Sequence, residues 1–201
     1  MDRFSFFFAF YGLILGLAVT ELLGGFARMV RAKALRQLEA QTALLALLTF
    51  IVICATWIDA WNTLTQISLD FEALAAPILL ATFYFLAAAV VFPSDPAEFG
   101  QLAAYYADRK RFVVAMLLAA EVLVTFTFRG IILDMIQNKP AIFWLWFLPY
   151  NVAIKGSYVT LLFVRGRTAN VILLAVLILL FMIPYWENNA IAGVIARHYG
   201  Y

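Results

Sequence analysis

One cysteine and one histidine stand among 201 residues. A lone Cys54 cannot close an intrachain disulfide and leaves no CxxC pair. A lone His198 excludes paired-histidine haem ligation and the histidine-rich metal sites of metalloproteases and membrane oxygenases. Charge is scarce as well. Asp, Glu, Lys and Arg make up 13% of the chain, where soluble domains carry about 25%. A net charge of +2 is too small to mark a nucleic-acid binder. Gly-x-Ser-x-Gly elbows, HExxH helices and phosphate-cradling glycine loops are all missing, so the expectation is a non-enzyme without cofactor or metal. A carboxylate dyad of Glu21 and Glu121 is the one intramembrane-enzyme alternative the sequence leaves.

What the chain does have is apolar surface: 66% hydrophobic residues and a mean hydropathy of +0.94. A chain this short cannot hide so much of it in one water-soluble core, which points to a bilayer as solvent. A helix needs about 20 apolar residues to span the hydrocarbon. Six segments qualify, near 4–26, 43–61, 74–92, 112–136, 141–164 and 169–186. They are too long and too continuously apolar for barrel strands, which alternate. The expected fold is therefore all-α, a polytopic integral membrane bundle of about six transmembrane helices in one domain over 1–201. "MDRFSFFFAF" lacks a basic leader region and a cleavage site, so the first segment reads as a retained span.

Basic residues set the expected direction. Arg28, Arg31, Lys33 and Arg36 fall in the first loop, Arg109, Lys110 and Arg111 in the third, and Arg165 and Arg167 in the fifth. The opposite side holds Arg3, Lys139 and Arg197. Nine against three places loops one, three and five in the cytoplasm and both termini outside, in the cell (inner or plasma) membrane. Trp57, Trp61, Trp144, Trp146 and Trp186 all fall at outer ends, where indoles favour the interface. In the third loop, Asp95 before Pro96, with Glu98 following, predicts a capped short helix at the interface. Phe99, Leu102, Ala103 and Tyr106 would share one face of it. Such a helix could rest in the headgroups or act as a docking or gating element.

Gly12, Gly16, Thr20 and Gly24 recur every four residues and form a small-residue stripe on the first span. Stripes of this kind let helices approach closely in lipid, and the neighbour can belong to the same chain or to another subunit. Charges inside a span are costly, at least ~2.5–3.5 kcal/mol each at the centre. Glu21, Glu121, Arg129 and Lys155 are the candidates. Asp59 and Asp134 lie nearer the outer surface, where water can reach them. Depth matching predicts an inner cluster of Glu21, Glu121 and Lys155, and an outer charge pair of Asp59 with Arg129. Pro149, Asn151, Lys155 and Gly156 predict a kinked or broken fifth span, with Asn151 a partner for the freed carbonyls. The uncharged third and sixth spans are expected to face lipid.

Two functions follow as expectations. The first is a proton- or ion-coupled transporter or channel, with Glu21, Glu121, Lys155 and Asn151 along the pathway. The second is a non-catalytic accessory or scaffolding subunit of a larger membrane complex. The expected partners are the bilayer and a further copy or a complex partner, with no nucleic acid. A cavity reaching Glu121 would favour transport.

Overall fold

Where water is excluded, a chain satisfies its own backbone groups, and each apolar run does so as a helix. The structure is a computed structural model. It describes the backbone of residues 3–64, 71–186 and 190–199, and the side chains of 8–60, 75–185 and 193–199. Arg3, Trp61 and Trp186 lie outside the described side chains. Among the described residues 92% are helical and none is in a strand. The helices are α1 (Arg3–Arg31), α2 (Ala40–Leu64), α3 (Phe71–Val91), α4 (Leu102–Thr127), α5 (Arg129–Asn138), α6 (Pro140–Ile142), α7 (Leu148–Phe163), α8 (Arg167–Trp186) and α9 (Ala190–Tyr199). A π turn, Phe143–Phe147, joins α6 to α7.

Three stretches among the described residues are long and apolar enough to cross a membrane: Phe8–Arg31, Ala40–Ala60 and Arg167–Tyr185. Ala75–Val91 and Pro96–Thr127 meet the requirement only as a pair, bent by 78°. That is fewer than the six expected spans, for physical reasons. The α4 helix spends its first turns on Asp108, Arg109, Lys110 and Arg111 and later carries Glu121. The α7 helix has only 16 residues and gains length from α6 and the π turn.

The six long rods close into a ring. The α1 helix packs on α3, α3 on α4, α4 on α7, α7 on α8, α8 on α2 and α2 on α1, with α2 also touching α3 and α4. On α1 the buried residues Tyr11, Leu15, Ala18, Leu22 and Met29, together with Gly25, are spaced alternately four and three apart. This is the seam of a left-handed helix pair. Leu80, Ala81, Tyr84, Ala87, Ala88 and Val91 supply the buried face of α3. Outward, Leu13, Phe126, Val152, Phe163 and Leu179 are all more than 60% exposed, the reverse of a water-facing surface.

Four sequence expectations change here. The third span is not peripheral: α3 sits between α1 and α4. Absence of charge could not reveal this, because helix faces in lipid and in a bundle core are equally apolar. The third loop does not hold a separate short helix. Asp95 caps a 3₁₀ turn, Pro96–Gln101, by accepting from the Ala97 N–H at 2.9 Å, and that turn runs straight into α4. Phe99, Leu102 and Tyr106 are buried as expected, whereas Ala103 is exposed. The fourth span is interrupted at Phe128, between α4 and α5. Beyond Trp186 an unanticipated helix, α9, packs on α6.

Candidate functional site

Single hydroxyls in apolar helices need a partner, and the helix itself supplies one. Thr20, Thr49, Thr82, Thr125, Thr127 and Thr160 each donate to the carbonyl four residues back, at 2.7–3.0 Å. Thr56 is different: its hydroxyl pairs with that of Tyr84 on α3 at 2.8 Å. This pair sits beside a cavity of about 600 Å³ at one end of the ring.

The cavity is lined by Tyr11 of α1 and by inward-facing residues within 55–60 of α2, 76–80 of α3, 121–128 of α4 and its end, 147–154 of the π turn and α7, and 181–185 of α8. Those are, in turn, the N-terminal part of α1, the C-terminal part of α2, the N-terminal part of α3, the C-terminal part of α4, the N-terminal part of α7 and the C-terminal part of α8. Successive rods therefore alternate in direction. Below the cavity each rod continues into packed core, for example Val114 and Leu117 on α4, Tyr158 and Leu161 on α7, and Leu174 and Leu177 on α8.

Glu121 is the deepest charge in the cavity wall. It is partly exposed, and the space it meets is the cavity. Among the described residues its carboxylate accepts no hydrogen bond and forms no ion pair. Lys155 and Asp59 both lie within electrostatic range of it. The Lys155 ammonium donates instead to Asn151 Oδ1 at 2.6 Å, one helical turn away, and Asn151 Nδ2 donates to the Phe147 carbonyl at 3.0 Å. Fully buried Tyr158 has an unpartnered hydroxyl and also lies within electrostatic range of Glu121.

The inner cluster is thus Glu121, Lys155 and Asn151, without Glu21. Glu21 sits on α1 away from the cavity wall, next to the α1–α3 seam. The outer pair of Asp59 with Arg129 does not form. Tyr185 donates to Asp59 Oδ1 at 3.0 Å, and Arg129 is exposed and donates to the Phe126 carbonyl at 3.3 Å. Arg129 follows the wall residue Phe128, and the next position on a helix points about 100° away from it. Asp134 is exposed and accepts from Asn138 at 2.7 Å.

The fifth span is irregular, but upstream of the place expected. Leu148 N–H bonds the Phe143 carbonyl five residues back, so the ladder loosens to a π turn just before Pro149. A second proline, Pro184 in α8, removes the N–H that would meet the Leu180 carbonyl. Tyr150 on α7 replaces it, donating to that carbonyl at 3.0 Å. Tyr11, Tyr150 and Tyr185 went unnoticed in the sequence. Their signal was three hydroxylated rings in outer-end segments that otherwise read as purely apolar.

The small-residue stripe behaves unevenly. A side chain at Gly12 would meet the Trp57 indole nitrogen at 3.2 Å, and at Gly24 the Arg28 guanidinium at 3.7 Å. Gly16 has open space, and Thr20 is exposed. The close approach is at Gly25, off the stripe, where a Cβ would stand 2.8 Å from Phe92.

At the opposite end Lys110 is buried. It donates to the Val164 carbonyl and to Asn170 Oδ1 at 3.0 Å, and Tyr106 donates to the same oxygen at 3.1 Å. Arg111 adds a bond to the Leu162 carbonyl at 3.3 Å. Burial, and then the neighbouring Arg111, lower the Lys110 pKa from the ordinary lysine range. Together these cations cap the C-terminal carbonyls of α7 and tie α4 to α8.

No protein-family model, curated protein or solved structure matches the chain.

Proposed function

We propose that the chain is a six-span membrane protein that carries a proton or cation through the cavity, with Glu121 as the carrying group. The observation behind this is a deep carboxylate that faces a cavity and has no protein partner among the described residues. Holding such a group in an apolar wall is expensive, and intramembrane carboxylates of this kind mark ion and proton paths. Lys155, steadied by Asn151, supplies a positive charge that is near Glu121 without neutralising it by contact. Asp59 stands at the outer rim with Tyr185. The alternating rods and apolar exterior support six crossings, with loops one, three and five cytoplasmic and both termini outside. The ring is closed on one side of Glu121 and hollow on the other, as an outward-open carrier would be.

The test is proton or cation flux in proteoliposomes. Glu121→Gln is expected to insert and purify like the parent and to lose coupled flux. Undiminished flux in that variant overturns the reading.

A second reading, an accessory or scaffolding subunit, draws on the outward face of α1. Leu13, Leu17 and Gly16 are exposed there, and nothing within 4 Å of Gly16 would touch an added side chain. Recovery of one stoichiometric membrane partner, together with an inert reconstituted chain, would favour it.

A further inference from the structure

The cavity says more about its occupant than that it is positive. Resting on the proposed transport site, we infer that the ligand is a hydrophobic organic monocation, an amine or onium ion, bound between aromatic walls and the Glu121 carboxylate. Size is the first reason. About 600 Å³ lies within the ~300–1,000 Å³ typical of pockets for drug-sized molecules and far exceeds what a bare metal ion fills. Charge is the second. Asp59 and Glu121 line the cavity, and among the described residues no lysine or arginine does. Lys155 donates to the lining residue Asn151 and does not itself belong to the described lining.

Wall chemistry is the third reason. Tyr11, Phe128, Phe147, Tyr150, Phe181 and Tyr185 all contribute to the lining. Aromatic faces attract cations, most strongly where water is excluded, and they accept alkyl or aryl groups as well. A hard divalent ion would instead want six or more oxygen ligands. Two carboxylates on separate helices are a poor start on that set, and no group of three or more His, Cys, Asp or Glu side chains gathers among the described residues.

The experiment uses the full chain in lipid nanodiscs and two probes of nearly the same shape and opposite charge, tetraphenylphosphonium and tetraphenylborate. Tetraphenylphosphonium is expected to bind saturably, once per chain. Glu121→Gln should weaken it about tenfold or more, the loss of one charged contact. Tyr150→Ala should weaken it too, and Asp134→Asn on the exposed α5 should leave it unchanged. Equal binding of tetraphenylborate, indifference to Glu121→Gln, or no saturable binding overturns the inference. Glu121-dependent proton flux without tetraphenylphosphonium binding also overturns it while leaving the transport reading in place. Charge-selective binding without any flux upholds the ligand class and overturns transport.

Discussion

Gly25 and Gly16 show how differently two glycines on one helix can matter. An added methyl at Gly25 would lie 2.8 Å from both Cβ and a ring carbon of Phe92, so backbone or ring must shift. Gly25→Ala is expected to destabilise the protein by about 1–3 kcal/mol, the usual cost of overpacking. Gly16→Ala should be nearly silent, since open space surrounds it. Parallel unfolding titrations of the two variants in mixed micelles check this; equal losses would place the tight α1–α3 contact elsewhere. Charge placement was partly legible at this scale. Glu121 and Lys155 were named from cost and depth and Asn151 from the proline beside it; Lys155 bonds Asn151 and lies within electrostatic range of Glu121. Glu21 and Arg129 were named on the same grounds, but depth fixes only one coordinate. Rotation about the helix axis decides which wall a side chain joins, and Arg129 stands next to the wall residue Phe128 without joining it.

Helices were legible as apolar runs because a 3.6-residue rod and a bilayer agree on length. Their interruptions were not. The π turn before Pro149 and the interruption at Phe128 are local changes of backbone hydrogen bonding within apolar runs, which hydropathy does not register. At Pro184 the repair comes from a tertiary neighbour, since the donor that covers the orphaned carbonyl is Tyr150, on another helix. Tyr150→Phe is expected to cost about 0.5–1.5 kcal/mol, the net worth of one such bond, measured by the same unfolding titration. Lys110→Met should cost more, about 1–3 kcal/mol, because it strips the Val164 carbonyl of a donor and removes one of Asn170's partners in a buried setting. Tyr106 would still hold the Asn170 oxygen. A Lys110→Met loss no larger than that of Tyr150→Phe would mean that water already serves the α7 terminus.

For the molecule as a whole, a single native thiol makes topology directly measurable. In a Cys54→Ala background, cysteines introduced at Lys33 and Arg165 should react with an impermeant maleimide from one side of sealed vesicles. Those at Lys139 and Arg197 should react from the other. Labelling of all four from one side would sink the six-crossing arrangement. Glu121 and Lys110 are eleven positions apart on α4, about 16 Å of rod, and the stretch between them runs through packing with Val113, Val114 and Leu117 wholly buried. Water filling the hollow would carry the outer potential down to Glu121, so nearly all of a transmembrane voltage would fall across that short septum. Any charge released past it would feel close to the full field, about 2.3 kcal/mol per elementary charge at 100 mV. If the chain transports as proposed, release of an uncompensated charge past this septum should be electrogenic, and flux in proteoliposomes held at a set diffusion potential should rise steeply with that potential.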